Sequence, residues 1–564
     1  MEEHPWFKFY DKGVPQHIDY PPIAVQGLLK EAAQKYPDSP CTIFKGGVIT
    51  YRQMDALTDQ LAAGIASLGV KKGDRVGIFM LNTPQFVVTF FAILKAGAIA
   101  VAINPLYKPR EIEHQVNDAG IEVLFVLSNY YNLIKETQPK TKIKKVIASN
   151  IKDYLPPVLS FLFGLTKEKK GGFRVELAPG DMWFKDLIAQ HKAEERPKVD
   201  IGPEDVAIFQ YSGGTTGISK GAIGLHRNLV ANALQIRSWV TEGVDGKETV
   251  LMAIPLFHVY GMVAGMLFAV RSGSGMVMIP NPRDIVDVLT SIQKYKTSIF
   301  PGAPAQYNAI NNNPDAAAGK YNLSSIRTCI SGSAPLMRDT KEKFEALTGG
   351  KLCEGYGLSE APTATHCNPL NGENRTGSIG IPFPDVDCRI ISLDDGVTPL
   401  KVGEIGELCI KGPQVMKGYH NMPTETANTL RDGWLYTGDI AKMDEDGYFY
   451  IVDRKKELIK PSGYQVWPRE VEEVIAAYPK VLEVGVAGVP DAYRGETVKA
   501  WVVLKPGETA TEEEIREYCK KNMAPFKVPT QVAFLSELPK TTVGKVLRRE
   551  LVREHMEKLS VNKD

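Results

Sequence analysis

No C-x-x-C pair occurs in the chain, whose seven cysteines are scattered. A zinc ribbon and a disulfide framework are therefore not expected, and a reducing cytoplasm is. An excess of either charge is lacking too: 67 Lys and Arg stand against 66 Asp and Glu, so nothing suggests a nucleic-acid partner. The opening MEEHPW has no basic start and no apolar core, and the closing VNKD is no peroxisomal signal, so neither a secretory leader nor that address is expected. Internal repeats and low-complexity tracts are absent. Long apolar runs are scarce. One, residues 250–270, carries no Asp, Glu, Lys or Arg and is long enough to cross a bilayer. Pro255, His258, Gly261 and Gly265 interrupt it, so a buried strand, a loop and a buried helix are expected instead.

What is present suits a large soluble protein. At 564 residues the chain exceeds what one core can hold, so two or more domains are expected. Apolar residues make up 43% and charged residues 24%, proportions of an ordinary globular chain. Strand-like runs at 75–80 and 123–127 alternate with amphipathic helices such as 51–68, where Met54, Leu57, Leu61, Ile65 and Leu68 share a face. That alternation predicts an α/β fold with mostly parallel sheets. Residues 405–411 read as a strand with alternating faces. Beyond Arg454 a short unit follows, with helices at 468–477 and 511–521 around strands at 481–489 and 497–505, enough for one small α+β domain.

The richest stretch is 211–221, YSGGTTGISKG. Its glycines, hydroxyls and closing Lys220 offer N–H, O–H and ammonium groups, a device for holding phosphate. It is not the P-loop, because Lys220 lies three residues after Gly217 and Gly221 stands where Ser or Thr should follow. Four further segments accompany it: EGYGLSE at 354–360, YTGD at 436–439, DRKKELIK at 453–460 and PKTTVGK at 539–545. Together, in this order, they resemble the adenylate-forming enzymes, the superfamily of acyl-CoA synthetases, luciferases and peptide-synthetase adenylation domains. The resemblance runs from about residue 25 to 555.

That resemblance implies a large N-terminal domain of packed mixed sheets with helices plus a β subdomain, and a small mobile α+β C-terminal domain. The boundary is expected after residue 454, giving an ATP- and acyl-binding domain at 1–454 and a lid at 455–564. It also implies ATP, Mg²⁺ and coenzyme A. Ser212, Gly213, Gly214, Thr215, Thr216, Gly217 and Lys220 would cradle the phosphates. Thr215 and Glu360 would serve the metal, which takes oxygen ligands. Ser331, Gly332 and Ser333 would run along the adenine, with Glu354, Gly355, Tyr356, Gly357 and Ser359 beside it. Asp439 and Arg454 would hold the ribose near Ile451, and Lys545 would bridge carboxylate and α-phosphate. Lys456 would be the hinge. Lys460, Ser462, Gly463 and Tyr464 would meet coenzyme A, with Gly463 leaving room for its pantetheine arm. His258 would sit by the substrate carboxylate, and Tyr260, Met262, Gly302 and Tyr307 would line an acyl pocket.

The segments 432–439 and 447–456 resemble the fatty acyl-CoA synthetase signature, which points to a medium- to long-chain fatty acid. Aryl acids of the benzoate or coumarate type, and a carrier protein in place of coenzyme A, stay open. Residues 154–165 are largely apolar and are followed by Lys167, Lys169 and Lys170. Too short to span a membrane, they either touch an anionic bilayer as a peripheral contact through 154–170 on its inner face or pack on the protein itself. A homodimer is compatible with the chain.

Overall fold

The computed structural model describes residues 4–561 except 213–218, 462–463, 465, 492–493 and 542–543. The chain packs as two compact units, Met1–Asp387 with Lys411–Leu435, and Cys388–Ile410 with Tyr436–Asp564. The smaller unit thus takes in residues ahead of 454. A division after 454 into an ATP- and acyl-binding domain and a lid is proposed on the resemblance alone.

The larger unit contains an eight-stranded and a nine-stranded sheet. In the first, Ile99–Ala102, Arg75–Phe79, Val123–Leu127 and Lys145–Ser149 run parallel. Their near-continuous apolar sequences are buried on both faces, as parallel strands covered by helices must be. Val206–Ser212 extends this sheet and turns back into Lys220–Leu225, which pairs with it antiparallel. In the second sheet Ile299–Gly302, Thr328–Ser331 and Lys351–Leu358 run parallel, and Ala361–Cys367 returns antiparallel. Both sheets are therefore mixed. The helix expected at 51–68 spans Tyr51–Ser67. It starts at Thr50, whose hydroxyl accepts from the Gln53 N–H while the Gln53 side chain accepts from the Thr50 N–H.

The apolar run at 250–270 folds inside this unit. Thr249–Met252 is a strand, Tyr260–Leu267 a π-helical stretch and Phe268–Arg271 a helix, all buried from residue 259 to 270. Among the described residues no helix is long and apolar enough to cross a membrane.

The smaller unit has a β portion formed by Gly406–Lys411, Trp434–Met443 and Phe449–Arg454. Gly406 to Ile410 are all buried, so the alternating faces expected there are corrected: this strand is covered on both sides. A second sheet orders Val481–Asp491, Gly495–Leu504 and Gln531–Phe534 beneath the helices Pro468–Ala476 and Glu512–Asn522. Gln531–Phe534 and the helix Arg548–Val561 had no counterpart in the sequence expectations. Four residues carry no period to read. They become a strand by pairing parallel with Gly495–Leu504. Arg548 ties the last helix down: its guanidinium pairs with Asp453 at 3.2 Å, Glu472 at 2.7 Å and Glu457.

Candidate active site

Ligands of open α/β sheets bind beyond the carboxyl ends of parallel strands. In the larger unit Gly302, Ser331 and Glu354 stand in register at such an edge. Ser331 is fully buried and its hydroxyl has no hydrogen-bond partner among the described residues, a polar group placed for a ligand to satisfy. Ser333, two residues on, is exposed and holds φ +71°, a left-handed turn unusual without glycine. Gly332 lies against the Tyr260 ring, which a Cβ would meet at 3.2 Å.

The strand Lys351–Leu358 then carries Gly355, Tyr356 and Gly357 outward. Tyr356 is half-buried and meets His366 edge-on, ring centres 5.8 Å apart. The ladder shifts register at Gly357, where a Cβ would lie 1.6 Å from the Thr363 carbonyl, so only glycine fits. Leu358 pairs with Ala361, which leaves Ser359 and Glu360 as a two-residue turn. The turn is held from outside. The Met416 N–H donates to the Glu360 carbonyl at 2.8 Å, and the Tyr419 hydroxyl donates to Glu360 Oε1 at 2.8 Å.

Tyr419 was absent from the sequence expectations, yet it joins two of them. Its strand, Gly418–Tyr419, pairs with Lys220–Leu225. Lys220 Nζ lies 5.3 Å from its ring centre and is paired with Glu425. Lys220 also stands opposite Ser212 in register, closing the hairpin expected to cradle phosphate. Gly213, Gly214, Thr215, Thr216 and Gly217 lie outside the described residues, as do Ser462 and Gly463. A Gly-Tyr dipeptide in a run of turn residues gives no sign of such a role, so nothing in the sequence singled Tyr419 out.

His258 lies two residues ahead of the π-helical stretch Tyr260–Leu267, a distortion frequent at functional sites. Its Nδ1 accepts from the Tyr260 N–H at 3.2 Å, so the neutral ring carries its proton on Nε2. Burial lowers its pKa to about 4, which keeps it neutral at pH 7. Met262 is buried on the same stretch. Tyr260 donates to the Ile330 carbonyl at 2.7 Å. Tyr307 lies wholly in the core beside Phe300 and Phe344, its hydroxyl donating to the Phe300 and Ile330 carbonyls. Its ring fills the place of a Gly302 Cβ, 2.7 Å away. Tyr307 and Gly302 thus pack on each other.

The smaller unit gathers Asp439, Arg454 and Lys545. Asp439 and Arg454 face each other across paired strands, Arg454 Nε 2.6 Å from the buried Asp439 carboxylate. Thr437 and Gly438 fix the approach: Thr437 donates to the Leu408 carbonyl, and the Gly438 N–H donates to Glu407. Ile451 accepts from Arg469 through its carbonyl, 2.8 Å away. Lys545 sits on a tight loop in which Thr541 N–H donates to the Lys545 carbonyl and Gly544 adopts φ +83°. Burial and the nearby Arg454 lower its pKa from 10.5 to about 8, against the pull of Asp439 and Glu457. Residues 106 apart in sequence (545 − 439) thus share one electrostatic neighbourhood. Lys456 is exposed on a short 3₁₀ turn, Lys455–Glu457. The Lys460 N–H donates to Glu496, and the exposed Tyr464 stacks on Phe526 at 4.7 Å.

Comparison with known proteins matches the AMP-binding enzyme model to residues 29–420 and the AMP-binding enzyme C-terminal domain model to residues 470–545. A long-chain-fatty-acid–CoA ligase of Bacillus subtilis (strain 168) is 43% identical over 560 residues, covering 99% of both chains. Its counterpart in Yersinia pestis is 38% identical over 98% of both. Among solved structures, ATP-bound MatB from Rhodopseudomonas palustris is similar with a TM-score of 0.81 at 28% identity, covering 94% of this chain and 99% of that one.

Proposed function

The chain belongs to the AMP-binding enzymes, and on that premise we propose that it is an acid–thiol ligase that joins a medium- to long-chain fatty acid to coenzyme A at the expense of ATP. A carboxylate oxygen attacks the α-phosphorus and the bond to pyrophosphate breaks, giving an acyl-adenylate. The coenzyme A sulfur then attacks the acyl carbon, the bond to AMP breaks, and the thiol proton is released. Activation is needed because a carboxylate has no leaving group, whereas AMP leaves readily.

In this reading the larger unit holds the base and the phosphates. Tyr356 stacks on adenine, the unpartnered Ser331 hydroxyl meets a polar edge, and Lys220 neutralises departing pyrophosphate. Lys220 leaves Glu425 to do so. Thr215 and Glu360 are the metal-facing residues; Glu360 offers a carboxylate already oriented by Tyr419, which suits an ion held by one or two carboxylates and substrate phosphates. Mg²⁺, when bound, screens the phosphate charge. His258 donates from Nε2–H to the substrate carboxylate and takes no proton, since that carboxylate is ionised at pH 7. The smaller unit offers Asp439 and Arg454 to the ribose and Lys545 to the developing charge. Lys456 serves as pivot, and Lys460, Ser462, Gly463 and Tyr464 serve coenzyme A. Each buried CH₂ of the acyl chain adds about 0.8 kcal/mol, so an apolar tunnel beside Tyr260 and Met262 selects for length.

The observation that carries the reading is the Asp439–Arg454–Lys545 cluster in a chain whose full-length relatives bear the ligase name. AMP release with ATP, Mg²⁺ and coenzyme A, measured across acids from acetate to oleate plus benzoate and coumarate, tests it. A maximum among the longer fatty acids is expected. Turnover of aromatic acids alone moves the chain to aryl substrates, and pyrophosphate exchange without thioester formation moves it to a carrier-protein acceptor. Tyr419→Phe should raise the Mg²⁺ concentration for half-maximal rate roughly tenfold, the equivalent of one charge-assisted hydrogen bond of about 1.5 kcal/mol. The KM for the acid should stay unchanged. A shift in acid KM with unaltered Mg²⁺ dependence would refute the positioning role. The buried cysteines suit a reducing compartment, and we place the enzyme in the cytoplasm, peripheral on the inner face of the membrane through 154–170.

A further inference from the structure

The helix Pro157–Thr166 buries none of its ten residues. Val158, Phe161 and Leu165 are 71%, 67% and 69% exposed, and Leu159 and Leu162 are exposed beside them. Positions 158, 161, 162 and 165 follow the i, i+3, i+4, i+7 rule and make one continuous apolar face. Water gains nothing from that arrangement, and a chain that merely joined two elements would carry polar residues there. The opposite side is fixed. Phe163 packs edge-on against Phe173, ring centres 5.5 Å apart. Before the helix, the hairpin tip at Gly46–Gly47 abuts Pro156 and Tyr154 so closely that a Cβ on Gly47 would lie 2.4 Å from the Tyr154 carbonyl. Val48, on the same hairpin, is 50% exposed. The face is thus held outward by a rigid base.

Charge identifies what covers it. Between 154 and 175 the chain carries Lys167, Lys169, Lys170 and Arg174 against a single acid, Glu168. Glu168 is buried and already occupied by Asn150 Nδ2 at 2.8 Å, Lys152 Nζ at 2.6 Å and the Arg174 guanidinium at 3.6 Å. Lys167, Lys169 and Lys170 are exposed at the C-terminal end of the helix. A second copy of the chain docking here would bring two lysine clusters together, and five apolar side chains are far fewer than the 20–30 residues a stable protein interface uses on each side. An anionic lipid surface satisfies both features. Ten residues rise about 15 Å, half of a hydrocarbon core of about 30 Å, so the helix lies in the interface plane rather than across it.

We infer that Pro157–Thr166 is an in-plane anchor on an anionic bilayer, with Phe161 and Leu165 inserted among the acyl chains and Lys167, Lys169 and Lys170 at the headgroups. Lipid contact follows from the surface alone. That the anchor serves uptake of membrane-dissolved substrate rests on the fatty-acid reading. The test is sedimentation of the full chain with phosphatidylcholine vesicles, with and without phosphatidylglycerol. Wild type should bind the mixed vesicles and lose binding on removal of phosphatidylglycerol or in high salt. Phe161→Glu with Leu165→Glu should weaken binding roughly tenfold or more. Lys169→Glu with Lys170→Glu should abolish the phosphatidylglycerol dependence. Both double variants should melt as wild type does and turn over dissolved octanoate at the wild-type rate. Unchanged vesicle binding in the Phe161/Leu165 variant would overturn the anchor. So would a wild-type dimer that ignores vesicles and that this variant splits. If no acid is turned over while vesicle binding follows the expected pattern, the ligase reading fails and the anchor stands.

Discussion

Lys545→Ala should slow acyl-adenylate formation by about 10²–10³, the loss of one preorganised charge at a developing anion. Thioesterification of a supplied acyl-adenylate should change little, because the charge that develops at the α-phosphorus as the carboxylate attacks and pyrophosphate leaves belongs to the first step alone. The reason lies in the site. Lys545 sits where burial and Arg454 oppose its charge and Asp439 and Glu457 support it, leaving its pKa at about 8. A lysine so placed is poised to lose its proton within the working range. The first step needs the protonated form, so kcat/KM for adenylation, which reports the free enzyme, should be flat below pH 8 and fall as pH rises through it. Lys545→Arg should remove that alkaline limb at a lowered overall rate, since a guanidinium stays charged. Stability should move the other way. A lysine whose folded pKa lies below its usual 10.5 costs stability while protonated, and the cost fades between about pH 8 and 10.5. Lys545→Ala should therefore melt no lower than wild type at pH 7. Adenylation and thioesterification rates measured separately decide the matter, and equal losses in both would refute the assignment.

The parts of this architecture that were legible in the sequence share one property: each is written in a local pattern. Val123–Leu127 is apolar at every position because both faces are covered, and it was readable as such. Asp439, Arg454 and Lys545 stand in short motifs whose residue types state their chemistry, so their meeting was expected from the resemblance. Tyr419 had no such pattern. Its role depends on a strand pairing with Lys220–Leu225 that brings its hydroxyl to Glu360, a long-range contact no window of sequence contains. The same limit applied to Pro157–Thr166. Its apolarity was plain, but burial and exposure give identical sequences, and only the fold shows the face pointing to water. Tyr307, expected along an acyl pocket, packs in the core with its hydroxyl on two carbonyls, contacts that likewise lie outside any local pattern. The Gly406–Lys411 strand departs from its expected alternation because Glu407 occupies a buried position by accepting from Gly438 and Lys455.

Arg548→Met should destabilise the smaller unit by about 3–5 kcal/mol, the range for removing one partner from a buried ionic cluster. Methionine keeps much of the volume, so the loss is electrostatic. Arg548 is the cation shared by Asp453, Glu457 and Glu472, and its own side chain is only 17% exposed. Without it three carboxylates remain in a low-dielectric setting. Burial already raises the pKa of Glu472, whereas the nearby Arg548 overcomes burial at Glu457 and holds its pKa below 4.5. In wild type the Glu457 contribution is therefore present at neutral pH and fades as pH falls through its lowered folded value. In the variant the sign reverses. Unpaired buried carboxylates bind protons more readily folded than unfolded, so the deficit should be largest at pH 7 to 8 and should shrink toward pH 5. Arg548→Lys should fall between, keeping the charge but losing the fork that reaches several carboxylates at once. Denaturant unfolding at both pH values, resolved into its transitions because a two-unit chain need not unfold in one step, measures this. A deficit that grows on acidification would mean that packing, not charge, is what Arg548 supplies. The effect should reach the active site as well, since Asp453 accepts from the Arg454 and Arg469 N–H groups and so sets the backbone that aims Arg454 at Asp439. Adenylation should then weaken in the folded variant through the nucleotide KM rather than through the acid.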